Sequence, residues 1–348
     1  MLKKIRVMIV DDSALMREVL KDTLESRGTI DVVYAAKDGL DAVSAVVKYK
    51  PDLMVLDLIM PVMGGLETLK KVMLKFPLPV IMFSAYTREG ATITVKTLEY
   101  GAVDFILKPT TESKRIEEIS DNLIPKIELL IHKKRSRVFG DFGNVGNTKR
   151  LGKTRLLTRD VDVIAVGSST GGVRAANKIL SRLPMDFPPI VWVQHMPENF
   201  VEAYVKRLDT QYKFSVQLAT DGDQLKRGVC YFAPGKIQMH VQKKSGAYFI
   251  RLKGIEKVSG FAPSCDVLFT SVAEQVANKA LGVILTGMGS DGTEGLCKMY
   301  AAGAYILGQD EKSSVIYGMP KSAHEAGCVN TQVDIDAMSA SIMQVCGL

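Results

Sequence analysis

Two hydrophobic patterns alternate along the first 125 residues. Short apolar runs rich in β-branched residues, typical of buried strands, alternate with stretches of helical apolar spacing, typical of amphipathic helices. The predicted strands are Ile5–Val10, Val32–Ala36, Leu53–Leu56, Val80–Phe83 and Val103–Ile106, and the stretches between them include the predicted helices Ala14–Ser26, Leu40–Lys48 and Leu66–Lys75. This order predicts an α/β domain in which a five-stranded, doubly wound parallel sheet has helices on both faces.

The same alternation returns from about residue 159 to the end of the chain. The run Val163–Val166 predicts a strand that enters a glycine-rich turn, and a helix is predicted over Val173–Leu183. Further strands are predicted at Ile190–Val193 and Ala280–Leu285, whereas Tyr231–Gly235 and Pro263–Leu268 are predicted to be loops and strand starts near a cleft. We therefore expect a Rossmann-like α/β domain with a mainly parallel sheet.

A basic segment separates the two patterned halves. Residues 132–159 contain nine Lys or Arg against one Asp, together with glycines and asparagines and little periodicity. Such a composition predicts a flexible linker, so we expect domains at 1–125 and 159–348 with a linker at 126–158. Because much of the net charge of +7 lies in this segment, the charge does not indicate a partner that is a nucleic acid.

Composition excludes several classes of protein. The chain is 47% hydrophobic and 24% charged, and no apolar run approaches the roughly 20 residues needed to span a membrane. The apolar run near the start is too short for a signal peptide, so we expect a cytoplasmic protein without membrane insertion. Five cysteines without C-x-x-C spacing predict reduced thiols, with neither zinc nor disulfides.

Polar residues of the first half fall at the ends of its predicted strands, where ligands of parallel sheets gather. They are Asp11, Asp12, Asp57, Ser84 and Lys108. Three neighbouring carboxylates repel one another unless a divalent cation or a lysine is present, and oxygen-only ligands suit Mg²⁺. A hydroxyl and an ammonium opposite them suit phosphate oxygens, so the set predicts metal-assisted phosphoryl transfer onto an aspartate. Asp12-Ser13 as a helix cap and Lys108 as a loop residue are the ordinary alternatives.

In the second half, the turn Gly167–Gly172 satisfies the pattern G-x-S-x-G. This pattern places a serine on a tight strand-to-helix turn, and the helix that follows directs its positive end to the same point. Ser169 is therefore a candidate nucleophile. A phosphate-binding turn and a turn without chemistry are the alternatives, although G-x-G-x-x-G and G-x-x-x-x-G-K-[ST] are absent.

Two further strand ends supply partners for this serine. His195 follows the strand after the Ser169 helix, and Asp291 lies in another glycine-rich turn that opens a helix. Alone, His195 suits a structural hydrogen bond and Asp291 a helix cap. Together with Ser169 they predict a triad of nucleophile, base and orienting acid, in a chain order that differs from that of α/β-hydrolases. The backbone N–H of Met288 is a candidate oxyanion donor, and a gap-filling side chain is its alternative role.

The first half resembles the receiver domain of two-component response regulators. The resemblance rests on VDDS at 10–13, DLIMPVMGG at 57–65, SA at 84–85 and GAVDFILKP at 101–109. It implies that Asp57 accepts a phosphoryl group from a histidine kinase, that Asp11 and Asp12 hold Mg²⁺ with it, and that Ser84 and Lys108 contact the phosphoryl oxygens. Phe105 occupies the place of the receivers' switch aromatic, often Tyr, and lacks the hydroxyl.

The second half resembles the catalytic domain of chemotaxis protein-glutamate methylesterases, the CheB family. The matching motifs are VGSSTGG (166–172), VQHMPENF (193–200), APG (233–235), PSCDVLF (263–269), LTGMGSDG (285–292) and QDEKSSVIYGMP (309–320). The resemblance places the family's triad on Ser169, His195 and Asp291, and an assisting residue on Thr170. Gln238 and Phe261-Ala262 depart from the family, which often has His at both places, and we expect these departures to affect the rim of the substrate site.

The resemblance implies a phosphorylation-activated serine esterase that acts in bacterial chemotaxis. It would hydrolyse glutamate γ-methyl esters on methyl-accepting receptors to glutamate and methanol, without a cofactor for that reaction, and some family members also deamidate receptor glutamines. Two rival functions are a nucleotide-binding module built on the glycine-rich turn and a receiver with a DNA-binding output. The second half is too large, too rich in strands and too poor in basic helices for the latter.

Overall fold

The computed structural model describes residues 3–85, 87–108, 115–136 and 158–348. The chain divides into two units, Met1–Thr148 and Lys149–Leu348, and each has its own sheet. Among the described residues, no helix combines the length and the apolar character that crossing a membrane requires.

The first unit is built around a five-stranded sheet in the order β2-β1-β3-β4-β5. Every pairing within it is parallel, which confirms the predicted doubly wound domain. Its elements are β1 (Ile5–Val10), α1 (Ala14–Glu25), β2 (Ile30–Ala36), α2 (Gly39–Tyr49), β3 (Leu53–Asp57), α3 (Gly65–Lys75), β4 (Val80–Ser84), α4 (Arg88–Glu99), β5 (Asp104–Leu107) and α5 (Arg115–Ser136).

The predicted linker overlaps the last helix of this unit. Because α5 extends to Ser136, residues 126–136 are helical and buried at Ile127, Leu130 and Ile131. Residues 137–157, which make up the rest of the predicted linker apart from residue 158, lie outside the described residues. The predicted boundary at 125 therefore falls inside a helix.

The second unit contains a seven-stranded sheet in the order β14-β13-β12-β6-β7-β9-β8. All of its pairings are parallel, and a separate antiparallel hairpin is formed by β10 and β11. The strands are β6 (Val163–Ser168), β7 (Ile190–Gln194), β8 (Ser215–Leu218), β9 (Val229–Phe232), β10 (Met239–Lys244), β11 (Ala247–Leu252), β12 (Ala280–Ile284), β13 (Tyr305–Gln309) and β14 (Thr331–Val333). This sheet confirms the predicted, mainly parallel α/β domain.

Six α-helices are described in the second unit. They are α6 (Gly172–Leu180), α7 (Glu198–Gln211), α8 (Cys265–Gln275), α9 (Thr293–Ala301), α10 (Met319–Glu325) and α11 (Ile335–Cys346), and a short 3-10 helix covers Ala277–Lys279. The core between the sheet and one layer of helices includes the fully buried side chains Val163, Val191, Leu268, Phe269 and Ile284.

The prediction for Pro263–Leu268 is wrong, because this segment enters helix α8. The Ser264 hydroxyl accepts a hydrogen bond from the backbone N–H of Asp266, which is the usual role of a serine at a helix start. Leu268, Phe269 and Val272 are buried at helical spacing. A short apolar run does not by itself distinguish a strand from a buried helix, and here the helix is formed.

The expectation of five reduced cysteines is also wrong. A disulfide joins Cys297 on α9 to Cys328, which follows α10, whereas Cys230, Cys265 and Cys346 are free. The two bridged residues are 31 positions apart in the sequence, and their Cα atoms lie 4.9 Å apart. That distance is usual for disulfides. The two cysteines are brought together by helix packing, which no local cysteine motif in the sequence indicates.

Candidate active site

Ser169 and His195 leave neighbouring strands at the same edge of the seven-stranded sheet. Ser168 on β6 is the register partner of Gln194 on β7. Ser169 directly follows β6, and His195 directly follows β7. The backbone N–H of His195 donates to Ser168 O at 3.0 Å, and that of Ser169 donates to Thr286 O at 3.0 Å. The fold thus brings the three predicted strand ends together.

A glutamine that the sequence did not single out ties the two turns to each other. The amide nitrogen of Gln194 donates to the backbone oxygens of Ser169 at 2.9 Å and His195 at 3.2 Å. Gln194 Oε1 accepts from Ser168 Oγ at 2.6 Å, and Ser168 Oγ itself accepts from Trp192 Nε1 at 2.8 Å. A polar residue ending a buried apolar strand was the available signal, but its partners depend on strand register.

Glycine is required at one position beside this amide. A Cβ atom at Gly172, the first residue of α6, would lie 2.1 Å from Gln194 Oε1 and 2.8 Å from Ser168 Oγ. Both distances are far shorter than contact between such atoms allows. The last glycine of the G-x-S-x-G-G turn therefore leaves room for the amide that holds the turn.

His195 and Asp291 form a buried pair. Nε2 of the imidazole lies 2.7 Å from Asp291 Oδ2, and the two side chains are 6% and 0% exposed. An ionised carboxylate only accepts hydrogen bonds, so Nε2 is the donor of this pair, and in a neutral imidazole Nδ1 is then the acceptor. Among the described residues, His195 Nδ1 is buried and has no hydrogen-bond partner, so Ser169 is not hydrogen-bonded to it here. Such bonds are often long in unliganded enzymes.

The start of helix α8 holds the carboxylate of Asp291. Oδ1 accepts from Ser264 Oγ at 2.6 Å, and Oδ2 accepts from the backbone N–H of Cys265 at 2.7 Å. Burial raises the pKa of the Asp291 carboxyl, but the hydrogen bonds from His195, Ser264 and Cys265 lower that pKa by more, and the net direction is downward. Asp291 is therefore ionised over the range in which a histidine can act as a base.

The thiol of Cys265 lies close to the same pair, with Sγ 3.8 Å from His195 Nε2. Burial, and the Asp291 carboxylate beside it, raise the pKa of this thiol well above its ordinary value. Since the thiolate is the reactive form of cysteine, Cys265 is a packing residue here, and Ser169 is the better candidate nucleophile.

The turn after β12 closes the site on the other side of Ser169. A Cβ atom at Gly287 would lie 2.8 Å from Ser169 Cβ and 2.2 Å from Met319 Sδ, so this turn approaches the serine as closely as a glycine allows. Met288 is half-buried, and within the described residues its backbone N–H has no backbone partner. Thr170 is buried, and its carbonyl oxygen accepts from Thr286 Oγ1 at 2.9 Å.

A second site lies at the strand ends of the first unit. Carboxylate oxygens of Asp11, Asp12 and Asp57 lie within 4.8 Å of one another. Lys108 Nζ is 2.8 Å from Asp11 Oδ2 and 2.8 Å from Asp57 Oδ2. The helix cap is made by Ser13, whose hydroxyl accepts from Met16 N, which leaves the exposed Asp12 carboxylate without that role. A donor set of oxygens only, partly open to water, fits Mg²⁺.

Among the described residues, one ammonium, that of Lys108, contacts the carboxylate oxygens of this site, and the Arg17 guanidinium donates to the backbone oxygens of Asp11 and Asp12. Burial raises the pKa of Asp57, and although Lys108 lowers that pKa, burial and the nearby Asp11 prevail. Burial lowers the pKa of Lys108, but hydrogen bonds to Asp11 and Asp57 outweigh it and the net pKa is raised. The site therefore carries excess negative charge, which a divalent cation would neutralise.

Ser84 is placed at this edge but points its hydroxyl elsewhere. Asp57 is the register partner of Phe83, so Ser84 is the next residue across the sheet. Its Oγ donates to Ala85 O at 3.3 Å and accepts from Thr94 Oγ1 at 2.8 Å. The structure thus brings Asp11, Asp12, Asp57 and Lys108 together, and it leaves Ser84 beside them without a hydrogen bond to Asp57.

Comparison with known proteins assigns each unit to a family model. A model described as CheB methylesterase matches residues 164–342, and one described as response regulator receiver domain matches residues 7–120. A protein-glutamate methylesterase/protein-glutamine glutaminase of Sulfurimonas denitrificans is 42% identical over 346 residues, covering 97% of this chain and 98% of that protein. A protein of the same name, numbered 1, from Caulobacter vibrioides is 41% identical over 98% of both chains.

A solved structure resembles the second unit. The crystal structure of the Thermotoga maritima CheB methylesterase catalytic domain is 34% identical, with a TM-score of 0.52, and the match covers 53% of this chain and 98% of that one. The similarity therefore extends over nearly all of that domain.

The role of Gln194 can be tested by replacing it with a side chain of similar size. Gln194→Leu leaves the backbone oxygens of Ser169 and His195 without their amide donor, and buried polar groups that lose partners cost about 1–3 kcal/mol of stability. We expect the free energy of unfolding in urea to fall by that amount. Gln211→Leu, at an exposed position at the end of α7, is the matched control and should leave it unchanged. Equal stability of the two variants would contradict the role of Gln194 in holding the two turns together.

Proposed function

Because this chain belongs to the CheB methylesterase family, we propose that it hydrolyses glutamate γ-methyl esters on chemoreceptors to glutamate and methanol. The observation that carries the proposal is the buried His195–Asp291 pair at the strand end next to Ser169. A serine, an imidazole and a carboxylate converging from neighbouring strand ends are the groups that acyl transfer requires.

The first half of the reaction forms an acyl-enzyme. Ser169 Oγ attacks the ester carbonyl carbon while His195 Nδ1 takes its proton, and the imidazolium so formed is stabilised through Nε2 by Asp291. The negative charge that develops on the carbonyl oxygen is met by the backbone N–H of Met288 and by the positive end of α6. The bond to the methoxy oxygen then breaks, and His195 returns the proton so that methanol leaves.

The second half releases the product. His195 takes a proton from water, the resulting hydroxide attacks the acyl carbon, and the proton returns to Ser169 Oγ as glutamate is freed. These steps use side chains and water and call for no cofactor. Thr170, whose carbonyl is held by Thr286, keeps the nucleophile turn in place beside the reacting atoms.

A glutaminase activity is the second candidate function. Relatives at about 40% identity over nearly the full chain carry both activities in their name. The same acyl-enzyme forms from a glutamine side chain when ammonia is the leaving group, because His195 can protonate an amine as it protonates methoxide. We therefore extend the proposal to receptor glutamines.

The first unit is proposed to control this activity through phosphorylation of Asp57. A chemotaxis histidine kinase would supply the phosphoryl group, and Mg²⁺ held by Asp11, Asp12 and Asp57 would supply the charge neutralisation that lets a phosphate approach these carboxylates. Lys108, already 2.8 Å from Asp57, would contact a phosphoryl oxygen. Ser84 would do so after its hydroxyl leaves Ala85 O. Phosphorylation then shifts the protein toward its active form.

Replacement of Ser169 tests the esterase directly. Ser169→Ala removes the attacking oxygen, so methanol release from methylated receptor fragments should fall at least about 1,000-fold, as in other serine triads. Ser181→Ala, an exposed serine at the end of α6, is the matched control and should retain wild-type release. Hydrolysis by Ser169→Ala at the wild-type rate would refute the assignment.

Replacement of Asp57 tests the control. Wild type should incorporate phosphate from a small-molecule phosphodonor in the presence of Mg²⁺, and its methanol release should rise. Asp57→Asn should do neither, because the amide oxygen does not attack phosphorus, and EDTA should block incorporation into wild type. Asp22→Asn, an exposed position on α1, should behave like wild type. Activation of Asp57→Asn by the phosphodonor would contradict this mode of control.

A further inference from the structure

The imidazole of His195 lies flat against the ring of Phe261. The two ring centroids are 3.8 Å apart and the ring planes differ by 6°. Neutral aromatic pairs prefer offset or edge-to-face geometries with centroids about 4.5–7 Å apart. A flat, close contact over a ring face is instead the arrangement in which an aromatic ring attracts a cation.

The hydrogen bond to Asp291 alone does not fix the orientation of this imidazole. It restrains one atom, Nε2, at 2.7 Å from Oδ2, whereas the second side-chain torsion of histidine has a broad preference. Rotation about that torsion would change the direction in which Nδ1 points. The Phe261 ring stacked on the imidazole face restrains the plane of the imidazole, which the hydrogen bond to Asp291 alone leaves free to rotate.

Phe261 is itself held in a tight turn. The backbones of Val258 and Phe261 exchange two hydrogen bonds of 2.9 Å each. The two residues between them, Ser259 and Gly260, have φ of 53° and 86°, as in the two-residue turns that close hairpins. Ser259 Oγ also donates to Asp266 Oδ2 at 3.1 Å, which attaches the turn to helix α8.

The buried side chain of Gln238 fastens the segment that carries this turn. Its amide nitrogen donates to Glu256 O at 2.8 Å and Phe261 O at 3.0 Å, and its Oε1 accepts from Ser264 N at 2.8 Å. Ser264 in turn donates to Asp291 Oδ1 at 2.6 Å. Gln238 therefore supports both residues: Phe261, whose ring packs on His195, and Ser264, whose hydroxyl donates to Asp291.

We propose that Phe261 is a positioning residue for the base of the esterase, and that Gln238 is the anchor that places it. The inference rests on the proposed function, in which His195 becomes an imidazolium as it takes the serine proton. That cation forms against the negatively polarised face of the Phe261 ring, so the ring stabilises the charge where it develops.

This proposed role differs from the expectation drawn from the sequence. Gln238 and Phe261 stand where the family often has histidines, and we expected their effect at the rim of the substrate site. The structure connects the two departures through the Gln238–Phe261 hydrogen bond and places the ring on the base. The pair therefore acts on the chemical step in this chain.

The test compares Phe261→Leu, which keeps an apolar body and removes the ring, with Phe261→Tyr, which keeps the ring. In methanol-release assays we expect kcat of Phe261→Leu to fall about 2-fold to 30-fold, the range of a cation–ring contact, with KM within about 2-fold of wild type. Phe261→Tyr should restore most of kcat. Ile255→Ala, an exposed residue of the same segment, should retain wild-type values.

A spectroscopic signature separates this inference from the proposed function. The chain has only four histidines, so the ring protons of His195 can be followed by NMR on histidine-labelled protein. A stacked ring shifts them upfield in wild type and Phe261→Tyr, and the shift should be lost in Phe261→Leu. Absence of the upfield shift in wild type, wild-type kcat in Phe261→Leu, or a Phe261→Tyr variant as slow as Phe261→Leu would overturn the proposal. A wild type that shows the shift but releases no methanol would overturn the esterase assignment on which the catalytic role rests.

Discussion

Asp291 accepts hydrogen bonds from His195 Nε2, Ser264 Oγ and the backbone of Cys265, and the geometry of the second unit's site depends on this one buried carboxylate. Removing a charge from water is expensive unless donors replace the water. Here the donors come from a strand end, a helix cap and the first turn of α8, whose dipole also favours a negative charge. These hydrogen bonds join the end of β7 and the turn after β12 to the start of α8.

The site of the first unit also lies at strand ends, but its carboxylates outnumber the cations that contact them. Its carboxylates Asp11, Asp12 and Asp57 lie together, and among the described residues one ammonium, that of Lys108, contacts two of them. The pKa of Asp57 is raised first by burial and further by the nearby Asp11. A site with satisfied charges suits chemistry that starts from a neutral serine. A site with excess negative charge suits exchange of a cation and a phosphoryl group.

The sequence predicted the elements that local pattern determines, and it missed those that depend on contacts through space. The run Ile5–Val10 is a strand with the predicted bounds, because a β-branched run bounded by polar residues has few alternatives. The sequence did not single out Gln194, because its hydrogen-bond partners follow from strand register. It identified Phe261 only as a departure from the family, because the contact of its ring with His195 depends on a turn anchored by Gln238. The roles of Ser169, His195 and Asp291 remain predictions, although the fold places them at neighbouring strand ends.

Covalent labelling of the nucleophile tests the central claim most directly. A sulfonyl fluoride that reacts with activated serines should label wild-type protein on the tryptic peptide of residues 160–174, and fragmentation by mass spectrometry should place the label on Ser169. Ser168 is buried and bonded to Trp192 and Gln194, so it should stay unmodified, and His195→Ala should abolish labelling. A label on Ser168 or Thr170, or labelling that persists without His195, would contradict the account.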